Sequence, residues 1–336
     1  MSTSAGVPTN ALYGFLTMVR KILAAENPDY VVICFDRKEK TFRHEKYKEY
    51  KAQRKPMPDE LAEQIPYIKE VVKAHNIPQL EMVGYEADDL LGTLANRFAE
   101  KDVDAYIVTS DKDALQLVTD KIKTYTTYRD TITVYDIEKV KERYGGLGPE
   151  SVVDIMGLMG DSSDNIPGVP GVGEKTAISY IKDFGSIENL IAQAGTLKTE
   201  KQRQRILENT EIALLSRELA TIECNVPIDF DLTSYEAQAP DSAVLHQLFQ
   251  KFELRSFLRE TERPPQTPET DRLYHAVDTI EELQKLVNKL STVEAFSFDT
   301  ETTSASPTAA QLVGMSFSCK AKEAYYVVLS HAGIET

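Results

Sequence analysis

The amino-acid sequence predicts an α/β fold built on an open, mostly parallel sheet. In the first half of the chain, short apolar runs rich in β-branched residues alternate with apolar positions at helical spacing. Acidic residues follow these runs, and the carboxyl ends of parallel strands form the crevice where such folds bind ligands. A chain of 336 residues, 42% hydrophobic and 27% charged, is long enough for about two globular domains.

The elements are predicted in a regular order. A first helix starts with Asn10 as its cap, and residues 30–35 form a buried strand. The alternation continues with a helix at 59–74, a strand at 80–83, a helix at 87–100, a strand at 105–108 and a helix at 112–117. From 135 to 252 the pattern is mostly helical and contains a glycine-rich turn.

A second α/β unit is predicted to begin near residue 272. It follows a proline-rich linker at 261–271. Its predicted elements are strands at 273–277, 295–298, 311–318 and 324–329 and a helix at 279–290. Because about 65 residues are few for such an architecture, we expect an incomplete domain.

Charge and cysteine content exclude several classes of protein. With 38 basic and 53 acidic residues, the net charge of −15 excludes a uniformly basic nucleic-acid coat. Three widely separated cysteines argue against a disulfide framework and fit a reducing compartment. The sequence has neither a signal peptide nor an apolar run of about 18 to 20 residues, so we expect a cytoplasmic protein without a membrane partner.

Acidic residues gather at the ends of the predicted strands and in one later turn. They are Asp36, Glu86, Asp88, Asp89, Asp111, Asp113, Asp161 and Asp164. Each group alone is compatible with a helix cap or a turn. Eight carboxylates in one crevice would repel each other unless cations neutralised them, and hard divalent ions prefer oxygen ligands. The joint pattern therefore predicts a site for two Mg²⁺ or Mn²⁺ ions that act on a phosphodiester.

A basic segment and a glycine-rich turn predict contacts with nucleic acid. Residues 37–55 hold nine basic and three acidic residues, with aromatic residues between them. Positive charge follows a phosphate backbone and aromatic rings stack on bases, although a solvated charged helix is the alternative. Residues 168–177 lack the spacing of a Walker A loop and resemble a helix-hairpin-helix, with an ordinary helix–helix turn as the alternative.

Six segments together resemble a known family. Their order and spacing are similar to those of the 5′-nuclease domain of bacterial DNA polymerase I, within the flap-endonuclease superfamily. The segments are 2–15, 42–54, 84–89, 109–113, 160–165 and 168–177. The resemblance implies a PIN-like catalytic domain over 1–145 with a helical arch at about 37–58. It also implies a helical DNA-binding region with a helix-hairpin-helix over 146–260.

The resemblance implies a role for each matching residue. The eight acidic residues above match the metal ligands, and Tyr47, Lys51 and Arg54 match catalytic arch residues near the scissile phosphate. The positions that imply contacts with DNA are Arg43, Lys46, Gly168, Gly171, Gly173 and Lys175. The implied partners are DNA with a 5′ flap, nick or branch and RNA primers, with K⁺ as a further ion at the hairpin. We expect a monomer.

The second unit contains the motif Phe298-Asp-Thr-Glu-Thr302. It is similar to the first motif of a 3′-5′ exonuclease domain with an RNase H-like fold. Asp299 and Glu301 lie two positions apart on a strand, so their side chains share one face. We therefore expect a partial metal site on 272–336.

The chain departs from the family at both ends. Family members begin about 30 residues earlier with a strand that ends in a metal-binding Asp, and they continue into further exonuclease motifs and a polymerase domain. We therefore expect a fragment or a misassigned start, with impaired catalysis. The main prediction is a metal-dependent 5′-3′ exonuclease and flap endonuclease. The alternatives are a DNA-binding fragment that does not cut, a PIN-type ribonuclease and an Asp-x-Asp phosphatase. The predicted duplex clamp disfavours the ribonuclease. The sequence Asp36-Arg-Lys after the first strand disfavours the phosphatase, which needs a second Asp there.

Overall fold

A computed structural model describes residues 1–128, 131–261, 273–303 and 310–329 of the chain. The chain divides into two compact units, Met1–Thr261 and Glu262–Thr336. The predicted linker at 261–271 lies outside the described residues except for Thr261, which ends a helix. None of the helices in the described part of the chain combines the length and apolar character that a membrane crossing requires.

The first part of unit one alternates helices and strands as predicted. The elements are α1 (Asn10–Glu26), β1 (Ile33–Cys34), α2 (Phe42–Lys46), α3 (Asp59–Ala74), β2 (Gln79–Leu80), α4 (Ala87–Glu100), β3 (Ala105–Val108), β4 (Ile122–Tyr128) and β5 (Thr131–Tyr135). A single 3₁₀ turn, Asp113–Leu117, replaces the helix predicted at 112–117. The β4–β5 hairpin was not predicted.

The strands form two small sheets instead of the single sheet that was predicted. β1 pairs in parallel with β2, whereas β3 pairs in parallel with β4, and β4 pairs antiparallel with β5. Both sheets lie against α4, because Leu94 and Phe98 of this helix pack with Cys34 and Leu80 on one side and with Ala105 on the other. The ends of β1 and β3 are thereby held near the first turn of α4.

The start of α1 differs from the prediction. Thr9, not Asn10, occupies the cap position, and its side chain makes no capping hydrogen bond. Instead, Gln64 Oε1 on α3 accepts hydrogen bonds from the backbone N–H groups of Ala11 and Leu12, at 2.8 and 3.1 Å. Asn10 Oδ1 accepts from Gln64 Nε2 at 3.1 Å. A side chain from another helix therefore satisfies the exposed amides of α1.

The second part of unit one is helical, as predicted. Its helices are α5 (Ile137–Arg143), α6 (Val152–Met159), α7 (Glu174–Phe184), α8 (Ile187–Ala192), α9 (Glu200–Glu208), α10 (Thr210–Ala220), α11 (Ser242–Lys251) and α12 (Arg255–Thr261). α6, α7, α8 and α10 enclose one apolar core that includes Leu158, Ile181 and Leu190. α11 and α12 pack back onto α1 and α3 through Phe249 and Phe257.

Unit two is a four-stranded sheet with one helix. Its elements are β6 (Leu273–Val277), α13 (Ile280–Leu290), β7 (Ser297–Thr302), β8 (Leu312–Lys320) and β9 (Glu323–Val328), with strand order β6-β9-β8-β7. Leu286 of α13 packs on Val277 and Val327, and Phe317 lines the same cluster. Since Phe298 pairs with Phe317, the neighbouring Asp299 points to the other face of the sheet.

Candidate active site

The acidic residues converge around the first turn of α4. Asp36 follows β1, and its Oδ1 accepts a hydrogen bond from the backbone N–H of Ala87 at 2.8 Å, which ties the end of β1 to the start of α4. Glu86 is the cap residue of α4, and Asp88 lies in its first turn. An acidic residue at this position is favoured by the helix dipole.

Mutual repulsion shows that acidic residues from four segments lie within electrostatic reach of one another. Burial, followed by the carboxylates of Asp111, Asp36 and Glu86 in that order, raises the pKa of Asp88 to about 7. Burial likewise raises the pKa of Asp113 to about 8, with contributions from Asp111, Asp161 and Asp164. Such a crevice attracts cations.

Two loops that carry these acids are shaped by the acids themselves. Asp111 Oδ1 accepts a hydrogen bond from the backbone N–H of Asp113 at 3.0 Å. Asp161 Oδ1 accepts from the backbone N–H of Ser163 at 2.7 Å. These are Asx turns, in which a short carboxylate satisfies the backbone two residues on. These acids therefore form turns, which was the alternative interpretation of their spacing, and they also lie in the crevice.

Basic side chains from the segment after α2 face the same acids. Lys51 Nζ lies 2.7 Å from Glu86 Oε1 and 3.5 Å from Asp164 Oδ2, and Arg54 forms an ion pair with Asp164. Lys51 has a left-handed backbone (φ 55°), and its N–H donates to the Asp164 carbonyl oxygen at 2.9 Å. Lys51 and Arg54, both predicted as site residues, meet at Asp164.

Tyr50, which was not predicted as a site residue, lies between these acids. It is 3% exposed, and its hydroxyl is 3.0 Å from Glu86 Oε2 and 3.1 Å from Asp164 Oδ2. Burial, Glu86 and Asp164 all raise the pKa of this hydroxyl, so it stays a hydrogen-bond donor. Tyr47, which was predicted as a site residue, has a partly buried ring that packs against the helical core. The place of Tyr50 among the aromatic residues of the basic segment, next to Lys51, was the signal that could have indicated it.

Arg43 and Asp89 also differ from their predicted roles. Arg43 is 3% exposed and Asp89 is fully buried, and the guanidinium holds the carboxylate by two hydrogen bonds of 2.7 and 2.8 Å. Burial removes Arg43 from the surface that could meet DNA. The charge of Asp89 is satisfied inside the protein, so this carboxylate is not free to ligate a metal in the structure.

The predicted arch region contains one short helix. Within 37–58, only α2 is helical, and residues 48–54 form turns. The exposed Lys46 on α2 forms an ion pair with Glu218 on α10. Arg37 pairs with Glu39 and Glu81. The basic segment therefore lies against acidic partners and is not a freely solvated charged helix.

The glycine-rich turn makes a tight connection before α7. Gly168 and Gly171 have φ values of 59° and 77°, in the left-handed region that favours glycine. Gly173 occupies the cap position of α7 and Lys175 is exposed in the first turn. Arg205 on α9, which sequence patterns did not single out, donates from Nη1 to the Gly171 carbonyl oxygen at 3.1 Å.

Replacing Gly168 by alanine is expected to destabilise unit one by about 2 kcal/mol or more. A Cβ at this position would lie 2.3 Å from the Gly160 nitrogen, and the backbone is left-handed. Urea denaturation of Gly168→Ala measures the loss. Gly195→Ala is the matched control, because a Cβ there meets nothing within 4 Å. Equal stability of the two variants would contradict the steric argument.

The donor chemistry of the crevice fits hard divalent cations, because every candidate ligand is a carboxylate oxygen. Within 1–128, 131–261, 273–303 and 310–329, however, no three acidic, histidine or cysteine side chains already converge closely enough to hold a metal ion. Lys51 and Arg54 lie against two of the acids instead. In unit two, Asp299 and Glu301 are exposed on β7.

Family models match three successive parts of the chain. Residues 1–145 match "5'-3' exonuclease, N-terminal resolvase-like domain", and residues 147–243 match "5'-3' exonuclease, C-terminal SAM fold". Residues 274–335 match "3'-5' exonuclease". These matches confirm the resemblance inferred from the sequence motifs and the predicted fold class.

Curated relatives agree with these models. The 5′-3′ exonuclease of Aquifex aeolicus is 39% identical over 263 residues, which cover 78% of this chain and 89% of that protein. DNA polymerase I of Bacillus caldotenax is 41% identical over 77% of this chain, and that of Chloroflexus aurantiacus is 36% identical over 98% of it. The chain spans 30% and 39% of those two polymerases.

Two solved structures share the fold of unit one. T5 5′-exonuclease superposes with a TM-score of 0.55 at 22% identity, covering 73% of this chain and 90% of that one. The catalytic core of Rad2, in complex with DNA substrate, superposes with a TM-score of 0.51 at 17% identity, covering 75% and 82%.

Proposed function

Because the chain belongs to the 5′-3′ exonuclease family, we propose that its acidic crevice hydrolyses phosphodiester bonds at the 5′ ends and flaps of DNA in replication and repair. One observation carries the proposal: acidic residues from four chain segments together raise the pKa of Asp88 and of Asp113, at the place where Lys51 and Arg54 project. Acids that bind metal and cations that bind phosphate are the two requirements of this chemistry.

The proposed cofactors are two divalent ions, Mg²⁺ or Mn²⁺. The residues that would hold them are Asp36, Glu86, Asp88, Asp111, Asp113, Asp161 and Asp164. When bound, such ions activate water for in-line attack and stabilise the leaving oxygen. Asp89 is left out of this set because Arg43 already neutralises it.

The chain's own cations stabilise the charge that develops on the scissile phosphate. Lys51 and Arg54 are held by Glu86 and Asp164 before substrate arrives, so little reorganisation is needed when a phosphate takes the place of these partners. The hydroxyl of Tyr50 orients the same two carboxylates. The partly buried ring of Tyr47 packs against the helical core beside this arrangement, and its catalytic role stays a prediction.

The proposed DNA contacts lie on the hairpin and on α2. The backbone amides at the start of α7, together with Lys175, would bind the phosphates of the downstream duplex, and K⁺ is the proposed further ion there. Lys46 would add a phosphate contact. The proposed substrates are DNA with a 5′ flap, nick or branch and RNA primers, acted on by a cytoplasmic monomer.

For unit two, we propose part of a 3′-5′ exonuclease site. Asp299 and Glu301 lie on the same face of β7, which points away from α13. Two carboxylates at this spacing can share a metal ion.

A second candidate function is binding of branched DNA without cleavage. It is favoured by the finding that, in the described part of the chain, no three potential ligands converge closely enough for a metal ion. The division of the strands between two sheets favours it as well, because the strand ends that carry Asp36 and Asp111 are not fixed by a common ladder.

Cleavage of a 5′-labelled flap DNA tests the proposal. We expect the chain to cut near the junction in Mg²⁺ or Mn²⁺, and we expect Asp88→Asn to lose this activity while still binding the flap, because the substitution removes one carboxylate from the crevice. Asp120→Asn, on the surface away from the crevice, serves as the matched control. Flap binding without cleavage by the unaltered chain would support the second candidate, and ribonuclease activity without DNA cleavage would refute both.

A further inference from the structure

The side chain of Arg43 is buried, and nearly all of its N–H groups donate hydrogen bonds. It makes four hydrogen bonds: Nε donates to the Leu219 carbonyl oxygen at 2.9 Å, Nη2 to the Thr221 carbonyl oxygen at 2.7 Å, and both terminal nitrogens to Asp89. Nη1 also lies 3.6 Å from Glu86 Oε2. A guanidinium has five N–H donors in a rigid fork, and almost all of them are used here.

The carboxylate of Asp89 also accepts hydrogen bonds from two backbone N–H groups. Besides Arg43, Asp89 accepts hydrogen bonds from the backbone N–H of Glu86 at 3.0 Å and from that of Glu223 at 2.9 Å. A buried ion pair is tolerated when both partners are saturated in this way, and loss of one partner leaves an uncompensated charge. The pair therefore has one well-defined geometry.

This pair joins the two parts of the crevice. Arg43 lies on α2, which leads directly into the segment with Lys51 and Arg54. Asp89 lies on α4 and holds the backbone of Glu86, the acid that faces Lys51. Moving the pair would shift the acid and the cation relative to each other, and small displacements of this kind have large effects on rate.

We propose that Arg43 is a positioning residue for phosphodiester cleavage, acting through Asp89 and Glu86 without contacting DNA. The inference rests on the proposed nuclease function. Lysine cannot replace this arginine, because a single ammonium group does not reproduce the planar fork. A phosphate contact, in contrast, would largely survive the change, since lysine also binds phosphate.

The test compares Arg43→Lys with the unaltered chain on flap DNA in Mn²⁺. We expect the single-turnover cleavage rate at saturating DNA to fall by about tenfold or more, because a misplacement near 1 Å can cost more than that. We expect the dissociation constant for the flap, and its dependence on salt, to stay the same. The salt dependence is also measured for Arg43→Gln, which removes the charge: loss of one phosphate contact would lower the slope of log K against log salt by roughly 0.9, and we expect no such change.

Three further variants complete the design. Asp89→Asn should reproduce the loss of rate, and the double variant should lose no more than the worse single variant, because both act through one pair. Arg97→Lys is the matched control: Arg97 lies on α4, pairs with Glu100 at the surface and is remote from the crevice, so its rate should not change. Melting curves of all variants show whether their folded fractions are equal.

Three results would overturn the proposal. One is an unchanged rate in both Arg43→Lys and Asp89→Asn. Another is a reduced salt slope in Arg43→Gln, which removes the charge and would make Arg43 a DNA contact. The third is loss of the fold in both variants, which would leave the pair a structural role only. Failure of the proposed function is distinct from all three, because it appears as absence of cleavage by the unaltered chain.

Discussion

Lys51→Ala is expected to cut flap DNA at least about 100-fold more slowly than the unaltered chain, and to bind Mn²⁺ more tightly in the absence of DNA. The loss of rate follows from removing a fixed cation next to the developing charge, which typically costs 10² to 10³ in rate. The gain in metal affinity follows from the contact of Lys51 with Glu86, at 2.7 Å, and with Asp164, at 3.5 Å. Without the ammonium group, Glu86 and Asp164 each lose one competing cation, although Asp164 keeps its ion pair with Arg54, so the crevice attracts a metal ion more strongly.

Single-turnover cleavage and Mn²⁺ titration followed by electron paramagnetic resonance measure the two effects separately. Lys69→Ala is the matched control, because Lys69 pairs with Glu81 at the surface and lies outside the crevice. It should change neither quantity. Weaker Mn²⁺ binding by Lys51→Ala would mean that the lysine supports the metal site and does not compete with it.

Without divalent metal, the chain is expected to be more stable at pH 5 than at pH 8.5. Asp88 and Asp113 have pKa values raised to about 7 and about 8 in the folded state, from 3.8. A carboxyl group with a raised folded-state pKa favours folding while it is protonated, so this contribution is full below pH 4 and is lost as the pH rises through 7 to 8. Each shift corresponds to several kcal/mol at most, since one pKa unit is about 1.4 kcal/mol.

Urea denaturation at the two pH values, with a chelator present, measures this difference. Asp113→Asn should reduce it, because the amide removes one titrating group and relieves its neighbours. Asp120→Asn, at an exposed position, should leave it intact. Greater stability of the unaltered chain at pH 8.5 would show that the acids of the crevice do not repel each other as the structure indicates.

Sequence periodicity correctly predicted helices whose bounds depend mainly on residues within the same segment. The helix predicted at 59–74 is observed as α3 with the same bounds, and that predicted at 87–100 is observed as α4. The strand predicted at 30–35 is reduced to Ile33–Cys34, because a strand needs a paired neighbour along its length and β2 supplies only two residues. The β4–β5 hairpin escaped prediction because its threonines and tyrosines do not form an apolar run.

Site residues could be predicted when their position next to a strand end, a helix start or a motif indicated their role. The acids follow strand ends or begin helices, and Lys51 and Arg54 lie in one motif, so spacing indicated them. Long-range partners gave no such signal. Arg43 is separated from Asp89 by 46 residues and from Leu219 by 176, and only the fold shows that it is buried. The sequence does not distinguish Tyr50 from Tyr47, because both are tyrosines in the same basic segment. Only their different burial in the fold separates them.

The cap that Gln64 provides for α1 has a consequence for the order of folding. The first amides of α1 bond to a side chain 52 and 53 residues away, on α3. A helix that lacks a cap of its own gains little from forming alone, because nucleation is unfavourable and the free amides remain solvated. The first turn of α1 therefore becomes ordered only when α3 docks, so the two helices form one cooperative folding unit despite the 32 residues between them.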